Sequence, residues 1–343
     1  MKKKLITILV LSMFIILLGS SFLVKSEKNS SSTTLPSYFS WRDKDGIDYV
    51  TDIRSQGPFA SCESFAITAA IEAMVQIKVG YPFGCDLSEA HLFFNSNGSQ
   101  LEWGTFPESD LRYLQKYGIP DEACFPYPKQ KMLYPPNTSL PGWENRTVKI
   151  TNWSYLPSNN ITAIKNALIT KCPVPTYLHF DEDCRIYKNG IYKHIWGKSV
   201  AVHLRTIVGY NDDPGYWICK NSWGKAWGDN GWFKIKYGEC SIEELPIYIE
   251  EVYGTFPIVY VDDDNTIGPW NGTKENPYQT IKDGITHAYE KWAVYVKNGT
   301  YYENIVINKT IQLDGENNTN TIIDGSHNGD VIRIENAPGT KIS

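Results

Sequence analysis

The spacing of apolar positions divides the chain into stretches of different period. From Cys62 to about Val79, Phe65, Ala66, Ala69, Ala70, Ala73, Met74 and Ile77 recur three or four residues apart. This predicts a helix buried along most of its length, with Ser61 as its N-cap and Gly80 and Pro82 as its stop. Leu87 to Phe94 predicts a short second helix capped by Ser88. Ser109 to Tyr117 predicts a third, stopped by Gly118 and Pro120. After Pro128 the period changes. Runs rich in Val, Ile, Tyr and Trp alternate with turns, at Val148–Ile150, Val174–Leu178, Ile191–Tyr192, Val200–Tyr210, Tyr216–Cys219 and Gly231–Tyr237. One helix interrupts them, Ile161–Ile169, capped by Asn160. A helical half followed by an antiparallel β half is an α+β arrangement, and the cleft between the halves is the expected place for a site.

The pattern shifts again near Thr255. Val259–Val261, Ala293–Val296, Ile305–Ile307, Ile311–Leu313, Ile322–Ile323 and Val331–Ile334 are short β runs, most bounded by turns such as Asn298-Gly299 or Asp324-Gly325. Short strands at this spacing predict a solenoid of parallel coils. About two coils fit before Ser343, fewer than a free-standing solenoid needs, so a truncated or fragmentary one is expected. At the other end, Lys2-Lys3-Lys4 precedes an apolar run from Leu5 to Leu18 that Phe22-Leu23-Val24 extends. Residues 1–25 therefore read as a secretory signal or an uncleaved membrane anchor, and either one exports the chain to the cell surface or beyond. Residues 26–34, rich in Ser, Lys, Asn and Thr, read as a linker. The expected organisation is thus 1–25 signal or anchor, 26–34 linker, 35–254 an α+β domain and 255–343 the solenoid.

Composition adds little to this picture except through charge and cysteine. The net charge of −5 over 343 residues argues against nucleic acid as a partner. Seven cysteines cannot all pair in an oxidising compartment, and Cys62 is the candidate to stay free; the alternative is that all seven are buried and reduced. Asn-x-Ser/Thr triplets headed by Asn97, Asn137, Asn145, Asn152, Asn160, Asn271, Asn298 and Asn308 allow a glycosylated surface protein.

Gly57-Pro58 makes a turn that leaves Cys62 in the first turn of the long helix. Free N–H groups and the helix dipole favour a thiolate there, and the Gln56 amide can reach the same point as a donor. A thiol nucleophile also needs a base. Of the six histidines, His203 is the candidate, in the strand-like run Val200–Tyr210. Asn221 can accept a hydrogen bond from its imidazole and fix the tautomer, and Trp223 can cover that bond against water. The plainer reading is a satisfied core histidine beside a packed Trp/Gly turn.

Taken together, these words resemble the papain family of cysteine peptidases over about Leu35–Tyr253. Gln56-Gly57 stands before Ser61-Cys62. His203 opens a run to Val208-Gly209-Tyr210, and Asn221-Ser222-Trp223-Gly224 is followed by Trp227-Gly228 and Asn230-Gly231. Cys62 precedes His203 by 141 residues, within the family's range. The resemblance implies a papain-like fold and hydrolysis of protein or peptide substrates without a cofactor or metal. It implies that Cys62 is the nucleophile, His203 the acid and base, and Asn221 its orienter. Gln56 and the Cys62 N–H would form the oxyanion hole, and Trp223 would support them.

Four departures from the family pattern follow. Phe59 stands where the family has a disulfide cysteine, and Phe94–Gln100 lacks the partner; Cys85 with Cys124 is a suggested substitute. Glu63 replaces the usual Trp. If it lies near Cys62 it opposes the thiolate and weakens the nucleophile, and Glu63→Trp would lower the thiol pKa; otherwise Glu63 faces solvent. About ten residues separate the apolar run from Leu35-Pro36, so no helical pro-segment is expected there. The tail from about Val259 resembles the opening of a right-handed parallel β-helix, with binding or display, including surface-glycan or envelope contact, as its implied role. Asp262-Asp263-Asp264 in that tail reads as a solvated acidic turn before it reads as a calcium site. The competing functions are a weak or inactive papain fold that binds peptides or surfaces, and a carbohydrate-binding surface protein carrying a peptidase.

Overall fold

The long apolar stretch forms a central helix, α1 (Cys62–Val79), in which every residue from Cys62 to Gln76 is buried. A helix apolar on nearly all sides is stable only when surrounded, and the remaining elements surround it. Gly80 ends α1 in the left-handed conformation (φ 82°), with its N–H on the Gln76 carbonyl. Ser61 does not cap the helix as expected. Its hydroxyl pairs with the Tyr127 hydroxyl at 2.7 Å, a tertiary partner that outcompetes the local one. These coordinates are a computed structural model that describes residues 34–96, 106–128, 139–170 and 172–343. The expected signal or anchor, nearly all of the linker, and Asn97 and Asn137 lie outside the described residues. Among the described residues no helix is long and apolar enough to cross a membrane.

α2 (Glu89–Ser96) starts after Ser88, whose Oγ accepts the His91 N–H at 2.9 Å. α3 (Pro107–Lys116) has proline in its first turn. α4 (Ile161–Ile169) has Asn160 Oδ1 accepting the Ala163 N–H at 2.9 Å. α2 and α4 start at their expected caps, and α3 starts two residues before the expected Ser109, with no side-chain cap.

The strands of the β half are β1 (Tyr38–Ser40), β2 (Val148–Ile150), β3 (Trp153–Tyr155), β4 (Val174–Asp181), β5 (Ile191–Tyr192), β6 (Ser199–Asn211), β7 (Tyr216–Lys220), β8 (Trp232–Lys236), β9 (Ile247–Ile249) and β10 (Val252–Gly254). β6 is the spine of a six-stranded sheet and pairs antiparallel with β1, β4 and β7. β8 adds antiparallel to β7, and β5 departs from the expected pattern by pairing parallel to β8. The Thr206 hydroxyl donates to the Ala66 carbonyl at 2.7 Å and pins β6 onto α1.

From Ile258 onward the strands pair in parallel. β11 (Ile258–Val261), β12 (Ala293–Val296), β15 (Gln312–Gly315) and β18 (Lys341–Ile342) form one ladder. β13 (Gly299–Tyr301) pairs with β16 (Thr321–Ile323), and β14 (Ile305–Ile307) with β17 (Ile332–Ile334). A short helix absent from the sequence reading, α5 (Ile281–His287), packs Ile281 and Ile285 into the same core as Val261, Val294 and Leu313. This region shares a core with the end of α1. Tyr260 and Ala293 join the cluster of Ile71, Val75 and Phe83, and Tyr81 meets Tyr295 at 4.9 Å. Residues 35–343 form one compact unit.

All seven cysteines are free, so the suggested Cys85–Cys124 bridge is not formed; both thiols are buried singly. Asp262, Asp263 and Asp264 lie within 4.8 Å of one another. Two of them have local partners: Lys297 pairs with Asp262 at 2.8 Å, and Asp263 accepts the Thr300 N–H at 3.0 Å.

Candidate active site

Two segments far apart in sequence are joined at the cleft. The Gln56 N–H donates to the Ser222 carbonyl at 2.8 Å, and the Ser222 hydroxyl donates to Gln56 Oε1 at 2.6 Å. Gly224 N–H donates to the Arg54 carbonyl at 2.9 Å. The segment entering α1 is thereby fixed to the segment that leaves β7. Tyr127 holds it from the helical side, donating to the Gln56 carbonyl at 2.9 Å. Asn221 is placed by its N–H on the Gly231 carbonyl at 3.2 Å. Gly231 sits at φ 89°, and a Cβ there would stand 2.3 Å from Ile53, so the tight turn requires glycine.

Cys62 is the first residue of α1 and is buried. Its backbone N–H is one of the helix's unpaired donors. Its sulfur accepts the N–H of Leu204 and donates its own hydrogen to Glu63 Oε2 at 3.4 Å. The first contact sets the thiol against β6, one residue from His203. Burial pushes the Cys62 thiol well up, and the Glu63 charge adds to that. Gln56 Nε2 donates to the Phe59 carbonyl at 2.8 Å; an amide nitrogen has two hydrogens, which leaves one.

On the opposite wall, His203 Nε2 donates to Asn221 Oδ1 at 2.8 Å. A carbonyl oxygen only accepts, so Nε2 carries the proton and Nδ1 is left as a base. Trp223 lies over the imidazole, ring centres 4.5 Å apart and inclined by 31°, and Phe180 meets Trp223 edge-on at 4.9 Å. His203 is pushed down to about 3, first by burial, then by the Arg205 charge; the Asn221 bond opposes both.

A family model for papain family cysteine proteases matches residues 35–250. The chain belongs to the papain family. Among its relatives, cathepsin Q of Rattus norvegicus is 30% identical over 225 residues, 62% of this chain and 63% of that protein. Cathepsin S of Rattus norvegicus is 30% identical over 236 residues, 65% and 68% respectively. The chain thus spans under two thirds of cathepsin Q. The bromelain protease from Ananas comosus, solved in complex with the E64 inhibitor, superposes with a TM-score of 0.52 at 26% identity, covering 63% of this chain and 99% of that one. Digestive procathepsin L 3 of the Tenebrio molitor larval midgut gives 0.55 at 26% identity, covering 64% and 71%. The papain-family part ends before β11, and the parallel ladders lie outside it.

Each residue singled out in the sequence lies in this neighbourhood: Gln56 and Cys62 on one wall, His203, Asn221 and Trp223 on the other. No hydrogen bond joins Cys62 to His203; the S–H is donated to Glu63 Oε2. The alternative that Glu63 faces solvent is set aside, because Glu63 is buried.

Sequence reasoning missed three groups. Ser222 fixes the Gln56 amide. Lys220 is buried, donates to Thr51 Oγ1 at 2.7 Å, and is pushed down to about 8, chiefly by burial. Arg205 is 1% exposed. Its guanidinium carbon sits 3.9 Å from the Phe233 ring centre and 4.9 Å from that of Trp227. Strand alternation held the signal for Arg205, since residues i and i+2 share a face and His203 was already placed inward.

Proposed function

We propose that the chain is an exported cysteine endopeptidase in which Cys62, His203 and Asn221 hydrolyse peptide bonds. The observation that carries this reading is the His203–Asn221 bond beneath Trp223, opposite a thiol at the N-terminus of a buried helix. His203 Nδ1 takes the Cys62 proton, and the sulfur adds to the peptide carbonyl. The oxyanion is held by the Cys62 N–H and the second Gln56 amide hydrogen. Collapse of this adduct breaks the C–N bond, and His203 gives its proton to the leaving amine. A water, deprotonated by His203, then cleaves the thioester and regenerates the thiol. Asn221 keeps Nε2 protonated throughout, so Nδ1 is the atom that cycles.

The test is a peptide-library cleavage profile with Cys62→Ala as control. Cleavage lost in that variant supports the reading, and equal cleavage by both refutes it. Covalent labelling of Cys62 by an epoxide-type thiol-protease inhibitor is the second arm. Folded protein that resists labelling favours a binding role on the papain fold, a reading that the Glu63–thiol contact supports.

The proposed domain boundaries are 35–254 for the peptidase and 255–343 for the start of a right-handed parallel β-helix. The parallel ladders support the second domain. A cavity of about 480 Å³ between them, lined by Phe256, Tyr260, Tyr278, Tyr289 and Trp292, supports contact with a surface glycan. The basic and apolar N-terminus supports export, as a cleaved signal or as an anchor.

A further inference from the structure

The stretch that leads into β6 carries a surface that the peptidase chemistry does not use. Between Arg185 and Val202 most apolar side chains face water. Ile186, Ile191, Val200 and Val202 are exposed, Ile195 is 83% exposed and Trp196 53%. Cations are interleaved with them. Arg185, Lys188, Lys193 and Lys198 are exposed, and among the described residues none of the four meets a carboxylate within ion-pair distance. No Asp or Glu stands between Arg185 and Val202, although the whole chain has a net charge of −5. The acids just before the stretch offer little to balance it. Asp181 and Asp183 are buried, and Glu182 is half-buried.

Asp183 holds this surface in shape. Its carboxylate accepts the Tyr192 hydroxyl at 2.5 Å, the Ile195 N–H at 2.8 Å and the Trp196 N–H at 3.3 Å, and it meets His194 Nδ1 at 3.2 Å. Gly197 turns at φ 96°, and a Cβ there would stand 2.7 Å from Glu182, so the loop lies tight against the turn Glu182–Ile186. The Glu182 N–H donates to the Lys198 carbonyl at 3.1 Å and closes the junction. A fixed backbone therefore holds Ile195 and Trp196 out in water, and little ordering remains to be done on binding.

We infer that this face docks on an anionic lipid surface, with Ile195 and Trp196 entering the headgroup region and the four cations meeting lipid phosphates. A contiguous exposed apolar patch marks a partner, protein or membrane. The pattern selects the membrane. Lysine is depleted from the cores of protein interfaces, yet here lysines alternate with the apolar residues. A lysine stem lies along apolar surface while its ammonium stays with water or phosphate, which suits a boundary between lipid and water. Tryptophan, with an apolar body and one N–H, is favoured at the same depth. Clustered cations next to it add attraction to anionic headgroups. Val202 immediately precedes His203, so docking sets the β wall of the cleft beside the lipid surface. The inference goes beyond the peptidase reading and does not depend on it.

The experiment is quenching of tryptophan fluorescence in the full-length chain by vesicles of brominated phosphatidylcholine, with and without phosphatidylglycerol. Residues 1–34 contain no tryptophan, so insertion of the apolar N-terminus does not itself put a tryptophan into lipid. Vesicles containing phosphatidylglycerol are expected to quench the wild type, and Trp196→Phe to remove most of that quenching. Trp270→Phe, at the other exposed tryptophan, should leave it unchanged. Lys193→Gln with Lys198→Gln should raise the lipid concentration for half-maximal quenching by roughly thirtyfold, for two lost cations. Raising salt from about 0.1 M to about 1 M shortens the Debye length from about 10 Å to about 3 Å and should weaken quenching in the same direction. The inference is overturned by a wild type that these vesicles do not quench, by equal quenching in wild type and Trp196→Phe, or by quenching that ignores both phosphatidylglycerol and salt. Sedimentation without vesicles is the last arm. A dimer that Trp196→Ser dissociates, with no quenching by lipid, would assign the face to a second copy and overturn the lipid reading. Peptide cleavage is measured apart from all of these, so its absence refutes the peptidase reading alone.

Discussion

The two walls of the cleft are held by opposite kinds of force. The helical wall is fixed by charges, with Glu72, Glu89, Asp121 and Arg146 buried and Arg54 and Asp86 partly so. Arg54 meets Glu72 at 3.1 Å, Asp86 at 2.7 Å and Glu89 at 3.1 Å, and Arg146 meets Asp121 through two hydrogen bonds. The β wall is fixed by rings. Phe180, Trp223, Trp227, Tyr187 and Phe233 form a continuous chain of edge and tilted contacts. The difference teaches where each wall is vulnerable. A buried ion network is unforgiving of the loss of one member, whereas a ring cluster adjusts but governs the exact pose of what lies on it. Stability should therefore fail first on the helical wall and chemistry first on the β wall.

The strongest test of that contrast removes the base. His203→Gln should lower turnover by about 10²–10⁴-fold with little change in thermal midpoint, checked by steady-state kinetics beside calorimetry. The mirror experiment is Arg54→Met. It leaves Glu72 and Glu89 buried without their cation and should cost about 3–5 kcal/mol in a urea titration. If Arg54→Met unfolds no more easily than wild type, the comparison between walls breaks. Trp223→Leu sharpens it further. Trp223 is half-buried, so stability should fall by only about 1–2 kcal/mol, while turnover drops roughly tenfold as water reaches the His203–Asn221 bond.

The smallest effect is on pH dependence. His91 is buried in the helical wall against Trp143, its Nδ1 has no partner, and burial lowers it to about 4. Above about pH 6.5 it is neutral in the folded and unfolded chains alike. As pH falls from about 6.5 toward about 4, the unfolded chain takes up a proton that the folded chain refuses, so stability is lost across that window. His91→Phe should flatten this limb of the stability–pH curve and leave stability near pH 8 almost unchanged. A limb as steep as that of wild type would assign the acid loss to other groups.

Much of this was legible in the chain. Helix ends marked by Ser88 and Asn160 formed where their side-chain oxygens cap, and Gly80 ended α1 because it has no Cβ to oppose the left-handed turn; such signals act within a few residues. The spacing of Gln56, Cys62, His203 and Asn221 pointed to residues that the fold brings to one cleft. Ser61 shows the limit: a distant hydroxyl on Tyr127 took the side chain that local rules assign to the cap. Glu63 was readable as an anomaly with two outcomes, near the thiol or in solvent; the burial that decides between them depends on distant chain such as Tyr177 of β4. Arg205 was not singled out, although it shares a strand face with His203, because an arginine in a strand is usually an outward residue. The α5 helix was missed because its core partners come from strands before and after it in the chain.

The length of α1 has one more consequence. Cys62 opens this helix of 18 residues, and Lys78 near its other end pairs with Glu251 at 2.6 Å, where the parallel ladders attach. A helix of that length is a rod of about 27 Å. A surface bound by the ladders, as proposed above, would be held at a set remove from the sulfur. Such a tether would raise the local concentration of the proposed cutting site around its anchorage without presenting the anchor itself to the thiol. The reach of the enzyme would then be a radius measured from the place it is fixed, with the grip point inside the part of that circle the thiol does not sweep.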